Sequence, residues 1–320
     1  MKLIDCHSHV SRSKGGPDCN FDRYHDAAVR LGVVASLLAP GACPEELSDG
    51  ESFLPCVWRI EDGKPVYVQK HIHADGTEQV EPASKNPYHA TNEALCRNIR
   101  AANSKQDQVR YYATPLYHAR LDSLDELSSF LGQKETAAIK LHGIASYVAP
   151  HDISPEAVAL LTSSNVPLMV HTDWYAGQPE RPMQHAYRFN DPLKWVSWAI
   201  ENDVRLVALH GACLCAESFS LARGNDKIRF GISPDLLMMS EPERLKVATT
   251  DYLETLFKMA SPEQLLFDID YSWNTEQRGD WENLDWDMVQ RVSSRAKRAG
   301  YSDTDIERVF HKNAEEFFNI

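Results

Sequence analysis

Leu3-Ile4-Asp5-Cys6-His7-Ser8-His9-Val10 is a short, mostly apolar run that carries a His-x-His pair. In an extended strand successive side chains alternate between faces, so residues two apart share one. Strict alternation predicts His7 and His9 side by side with Asp5 below them, and Ile4 and Cys6 on the opposite face. Two imidazoles together at a strand end make half of a metal site. Taken alone, the pair fits two surface histidines near a terminus equally well. Matching groups at the ends of later strands would decide between the two.

Apolar runs do alternate with helical patterns along most of the chain. Val33 to Leu38 is a continuous apolar run ended by Pro40 and reads as a buried strand. Further strands are expected over Val109–Thr114, Ala137–Leu141, Val166–Val170, Val204–Leu209, Ile228–Ile232 and Leu265–Ile269. Helices are expected over Asp22–Leu31, closed by Gly32, and over Thr91–Ala102, Ser123–Leu131, Pro155–Ser163, Pro192–Glu201, Cys215–Leu221, Thr249–Ala260, Asp285–Ala299 and Thr304–Phe318. Ser123 with Glu126 forms a capping box, and Ser154-Pro155 is a cap followed by a first-turn proline. Strands alternating with helices imply a parallel sheet, and repetition of the unit implies an α/β fold closed as a (β/α)8 TIM barrel. A doubly wound open sheet is the rival, but no Gly-x-Gly-x-x-Gly follows the first strand.

The alternation breaks over residues 41–87. Turn signals dominate there, and Cys56-Val57-Trp58-Arg59-Ile60 and Pro65-Val66-Tyr67-Val68-Gln69 flank Glu-Asp-Gly-Lys, a hairpin signature. A further strand is expected through His71-Ile72-His73, whose histidines read as ordinary strand residues. The expected organisation is one domain, 1–320, with a β-rich insertion after strand two that acts as a lid or an interface element.

Composition narrows the function classes. A net charge of −13 makes nucleic acid a poor partner. No apolar run approaches the ~20 residues that span a bilayer, and no signal peptide precedes the first strand, so no membrane partner is expected. The 7 cysteines lack Cys-x-x-Cys spacing and suit reduced thiols in a cytoplasmic protein. Cys213-x-Cys215 reads as structural.

In (β/α)8 barrels the active site lies at the C-terminal strand ends. Strand four ends Ile139-Lys140-Leu141-His142, strand five Leu168-Met169-Val170-His171, strand six Val207-Ala208-Leu209-His210, and strand eight Phe267-Asp268-Ile269-Asp270. Alternation sets Leu168 and Val170 against His171, Val207 and Leu209 against His210, and Phe267 and Ile269 against Asp270. Bulky apolar residues suit the helix layer, so the polar groups are expected to face the interior. The set His-x-His, His, His and Asp on strands one, five, six and eight resembles the amidohydrolase superfamily. Ala138 to Gly143, Pro167 to Thr172, Ala208 to Gly211, Asp268 to Trp273 and Asn313 to Phe318 resemble its amidohydrolase-2 branch. That branch commonly reads Gly-Ser-Asp-Tyr-Pro-Trp where this chain has Asp268-Ile269-Asp270-Tyr271-Ser272-Trp273, a departure that touches the pocket floor and the substrate class.

The resemblance implies a divalent metal held by His7, His9, His171 and Asp270. Zinc is expected, with manganese the alternative, and one ion is favoured. Water at the ion's open position would be activated, with Asp270 as proton acceptor and donor. His210 would polarise a substrate carbonyl or bind a second ion. Lys140 sits where some superfamily members bridge two metals with a carboxylated lysine, and pairing with a carboxylate such as Asp268 is favoured instead. Asp5 is expected to accept from a histidine ring N–H. His142, Trp174, Tyr175 and Trp273 are candidate substrate contacts. The leading function is hydrolysis of an amide, lactone or ester of a small molecule. The alternatives are non-oxidative decarboxylation of an aromatic or unsaturated acid and a non-catalytic ligand-binding barrel. Homo-oligomers are common in this branch.

Overall fold

Each apolar run becomes a short parallel strand. The computed structural model of the chain describes residues 1–10, 19–40, 45–46, 51–105, 108–172, 187–233, 251–270 and 286–320. β1 (Leu3–His9), β2 (Val33–Ala39) and β7 (Arg110–Ala113) form one sheet in the order β1-β2-β7. β8 (Ile139–Leu141), β9 (Leu168–Val170), β10 (Leu206–Ala208), β11 (Ile228–Gly231) and β12 (Leu265–Leu266) form a second, in the order β12-β11-β10-β9-β8. Every pairing in both sheets is parallel. The expected closed ring is not one continuous sheet, because the ladders stop at two seams. At one seam, among the described residues, the isolated bridges Ala113–Thr136 and Leu116–Lys140 join the sheets. At the other, Cys6 N–H donates to Phe267 O at 2.9 Å and Asp270 N–H to His7 O at 2.7 Å. β8, β9 and β12 are shorter than the apolar runs that predict them.

The connecting helices begin where cap residues direct. α3 (Leu124–Leu131) starts at Ser123, whose hydroxyl accepts from Glu126 N–H, and α5 (Pro155–Ser164) at Ser154, which accepts from Ala157 N–H. α6 (Pro192–Glu201) starts at Asp191, which accepts from Leu193 N–H. The Glu126 carboxylate meets His89 Nδ1 at 2.8 Å. α1 (Cys19–Leu31) and α2 (His89–Ser104) cover the first sheet. One hydrophobic layer joins the outward strand residues Leu168, Val170, Leu206, Ala208 and Phe267 to Leu127, Leu161, Trp195 and Phe257 of the helices. A second lies on the inner faces, where Ile4, Cys6, Leu37, Met169, Val207, Leu209 and Leu266 pack against Ala314, Phe317 and Phe318. The last three come from the helix Asn313–Phe318, which follows a single π-helical turn at Arg308–Lys312. The C-terminus thus supplies the apolar floor.

Between β2 and α2 lies an antiparallel sheet of β3 (Glu45–Glu46), β4 (Ser52–Glu61), β5 (Lys64–Ile72) and β6 (Glu78–Pro82), in that order. Asp62 and Gly63, at φ 47° and 74°, form the two-residue turn between the paired Glu61 and Lys64. Successive positive φ values give a turn whose twist matches that of the strands, which is why Asp-Gly reads as a hairpin. The expected separate strand through His71-Ile72-His73 is corrected: His71 and Ile72 end β5, and the third long strand is Glu78–Pro82. Asp75-Gly76 makes the turn between them, with Asp75 Oδ1 accepting from Thr77 N–H at 2.9 Å. The sheet docks through Trp58, whose ring N–H donates to Ile144 O at 2.6 Å and whose ring packs 4.6 Å from that of Tyr147.

Candidate metal centre

The phase of β1 changes along its length. Asp5 pairs with Ser36 and Ser8 with Leu38, so β1 carries one residue more than β2 over that interval. Such a bulge shifts the following side chains to the other face. Ile4 and Cys6 therefore pack inside, yet His7 and His9 also turn toward the strand ends where Asp270 lies. Asp5 corrects the sequence-based expectation. It faces α1, where Tyr24 Oη donates to it at 2.5 Å and Ser8 Oγ at 2.6 Å. Its other oxygen accepts from the backbone N–H of His7 at 3.2 Å and of Ile269 at 2.8 Å. It supports the histidines through the backbone, not through a ring N–H. Burial pushes its pKa up to about 6, and the hydrogen bonds from Ser8 and Tyr24 work against that rise.

His7 Nε2 lies 3.4 Å, and His9 Nε2 3.6 Å, from Asp270 Oδ1. One ligand atom from each of these residues falls within 4.8 Å of the others, close enough to hold a single ion. His9 Nδ1 lies 3.0 Å from Pro40 O. That partner accepts, so the ring proton sits on Nδ1 and the Nε2 lone pair is left facing Asp270. Burial holds His7 well below the usual imidazole range and brings His9 to about 4. Neutral imidazoles beside a carboxylate suit a divalent cation, so the donor set fits.

The expected role of alternation at strand six is also corrected. Val207 and Leu209 pack on the inner face, so a regular continuation would send His210 outward. His210 instead has φ 56°, followed by Gly211 at 55° and Ala212 at 43°. This left-handed turn brings His210 Nδ1 within 3.7 Å of Asp270 Oδ2 and 3.0 Å of Ser233 Oγ. Its Nε2 lies 2.8 Å from His171 Nδ1, and the His171 ring stacks 4.0 Å from that of His142. Thus His171 joins a histidine chain leading to His210, beside the group formed by His7, His9 and Asp270. Burial lowers His142, His171 and His210 well below the usual range, so the chain is neutral near pH 7.

Lys140 is buried on the inner face with Nζ 3.1 Å from His7 Nε2. Burial lowers its pKa to about 7, against the raising influence of Asp270 and Asp268. Asp268 is pushed well above the carboxylate range by burial and then by the charges of Asp270 and Asp5. Its Oδ1 accepts from Ser233 N–H. His142 Nδ1 accepts from Ala145 N–H at 3.3 Å, opening the short helix α4 (Gly143–Ser146). Trp174, Tyr175 and Trp273 lie outside the described residues. Ser233 and Pro40 are the contacts that no sequence pattern marked: one hydroxyl and one carbonyl after strands carry no signal of their own. A second candidate group, Glu51 with His71 and His73, lies on the antiparallel sheet, where His71-x-His73 repeats the spacing of His7-x-His9.

No protein-family model matches the sequence. No curated protein matches it either. Solved structures do match the fold. IDCase of Metarhizium anisopliae in its apo form aligns at TM-score 0.57 and 10% identity, over 99% of this chain and 97% of the other. The 5-carboxyvanillate decarboxylase of Sphingomonas paucimobilis aligns at 0.56 and 10%, over 100% and 99%. A candidate 2-pyrone-4,6-dicarboxylic acid hydrolase of Pseudomonas putida aligns at 0.58 and 10%, over 99% and 97%. These are amidohydrolase-2 proteins, the branch whose motifs the strand ends resemble, and this chain shares their fold.

Proposed function

We propose that the chain is a metal-dependent enzyme of the amidohydrolase type that hydrolyses an amide, lactone or ester carbonyl of a small molecule. In this reading the two parallel sheets are arcs of one (β/α)8 barrel, residues 1–320 are a single domain, and the antiparallel sheet is a lid or interface element. His7, His9 and Asp270 would hold one divalent ion, with His171 the further candidate ligand. Zinc is favoured by the imidazole and carboxylate donors, and manganese is the alternative. Such an ion, when bound, supplies Lewis acidity and lowers the pKa of water at its open position.

One observation carries the hydrolytic reading. The Asp270 carboxylate is divided, with Oδ1 toward His7 and His9 and Oδ2 toward His210. A carboxylate so placed can take a proton at one oxygen and deliver it to a leaving group while the other stays at the donor set. His210, neutral and held at Nδ1 by Ser233, can direct a substrate carbonyl from Nε2 once that nitrogen leaves His171 Nδ1.

Decarboxylation is the second reading, favoured by one feature. The buried Lys140, where protonated, provides a cation beside His7 that could hold a departing carboxylate. Reaction in ¹⁸O-labelled water separates the two across a panel of lactones, amides, esters and aromatic acids. Hydrolysis places the label in the product, and Asp270→Asn abolishes turnover. Release of CO2 with no label incorporated would sink the hydrolytic reading. Turnover that survives Asp270→Asn would sink both.

A further inference from the structure

We infer that the antiparallel sheet carries a second metal site of its own, formed by Glu51, His71 and His73, which takes a divalent ion of the zinc class. This site does not depend on the proposed chemistry at the strand ends. Its geometry follows from strand register. His71 and His73 are two apart at the end of β5, so both imidazoles project from one face. In the β4–β5 ladder Ser52 pairs with Ile72 and Phe53 with His71, which sets Glu51 across from His73. Residues opposite one another in an antiparallel ladder share a face, so the carboxylate reaches the two rings.

Glu51 Oε2 lies 3.2 Å from His71 Nε2, and Oε1 lies 3.7 Å from His73 Nδ1. The two rings sit 4.3 Å apart and tilt by 39°. One ligand atom from each of the three residues falls within 4.8 Å of the others, as in the centre built on His7, His9 and Asp270. Phe53 stands edge-on to His71 at 6.5 Å and limits where that ring can swing. Asp75 Oδ1, in the turn after His73, is engaged by the N–H and hydroxyl of Thr77.

Two imidazoles and one carboxylate are a borderline-soft donor set that suits zinc and its neighbours better than magnesium or calcium. Three protein ligands leave the remaining position to water. All three side chains are half-buried, so an ion can enter from solvent. Once bound, it would fasten Glu51, directly before β4, to His71 and His73 at and just past the end of β5. Lys70, the residue before His71 on β5, pairs with Glu78 at 2.8 Å. Without a metal, the same three side chains remain only in contact across the ends of the two strands.

Metal content of the full chain separates these possibilities. Stripped protein would be reloaded with zinc, passed through a desalting column and analysed for metal per chain. Wild type is expected to keep two ions, His71→Ala/His73→Ala one, and His7→Ala/His9→Ala one. Stripped His7→Ala/His9→Ala protein is further expected to gain thermal stability on adding zinc, and a variant that also carries His71→Ala and His73→Ala is not. Because His71 and His73 lie at the surface, Glu51→Gln provides an independent variant and is expected to weaken retention at the same site. Equal metal content in wild type and His71→Ala/His73→Ala would overturn the inference. Loss of all zinc in His7→Ala/His9→Ala would do so too.

Discussion

Asp5 gathers the donors that fix the first strand, so removing its side chain should loosen the fold and the metal centre together. Its Oδ1 accepts from His7 N–H and Ile269 N–H, and its Oδ2 from the hydroxyls of Ser8, Tyr24 and Ser36. In Asp5→Ala both backbone N–H groups stay buried with no acceptor, at ~1–3 kcal/mol each. Tyr24 and Ser36 retain one another at 2.5 Å, so their loss is partial. The expected cost is about 4 kcal/mol, a large share of the ~5–15 kcal/mol that typically holds a domain folded. Asp5→Asn tests whether acceptors or charge matter. Its amide oxygen keeps the two backbone donors, and its amide N–H groups can donate to hydroxyls that turn round. Since burial raises the Asp5 pKa to about 6, a neutral isostere also avoids the ionisation penalty. Its expected cost is below about 1.5 kcal/mol.

Urea unfolding at pH 7.5 with a chelator present measures both variants without a metal contribution. A fall in midpoint at constant slope reports stability alone. Asp5→Ala is also expected to retain zinc more weakly, because Ile269 N–H and the adjacent Asp270 N–H→His7 O bond at 2.7 Å hold the ligand-bearing ends together. Asp5→Ala within about 1 kcal/mol of wild type would refute this role of Asp5. So would Asp5→Asn as damaging as Asp5→Ala.

His118 is buried, and burial lowers its pKa to about 4. The unfolded imidazole takes a proton near pH 6.5, so its contribution is present above that pH and is lost as pH falls toward 4. The stability difference between wild type and His118→Asn should therefore shift against wild type by up to ~1.4 kcal/mol per pH unit across that window. Parallel unfolding curves from pH 7 to 4.5 would contradict this. Phe317→Ala empties part of the inner floor shared with Met169, Val207 and Leu266 and removes the ring under Arg205, so a loss of ~3–5 kcal/mol is expected in urea unfolding. Gly231→Ala places a Cβ against Asp268 Oδ2 and Leu209, and overpacking there should cost ~1–3 kcal/mol, seen as a lower melting temperature.

Alternation read the interior correctly where strands are regular. Met169 packs inside and His171 follows on its face; Leu266 packs inside and Asp268 follows on its own. The seams between the sheets were not legible, because they depend on backbone partners far apart in sequence, such as Cys6 with Phe267. The Asp-Gly hairpin was legible because its backbone demand is local. The ion-ligand group on the antiparallel sheet required the register of β4 against β5 before Glu51 could be set beside His71 and His73.

The two failures of alternation fall at the ligand-bearing ends themselves. With Ile4 and Cys6 inside, an unbroken β1 would point His7 toward α1. With Val207 and Leu209 inside, an unbroken continuation of β10 would point His210 toward the helix layer. The extra residue between Asp5 and Ser8, and the left-handed backbone from His210, reverse both outcomes. Each reversal carries a local cost, since a bulge interrupts the ladder and non-glycine residues at positive φ are strained. Both occur where a side chain that would otherwise face the helices must reach Asp270, which accounts for irregular backbone at these two strand ends. Strict alternation places His7 and His9 together but gives the wrong partner for Asp5. The bulge explains how Asp5 can sit on the helix side and still set the position of both histidines: it binds the backbone that the extra residue would otherwise leave unpaired.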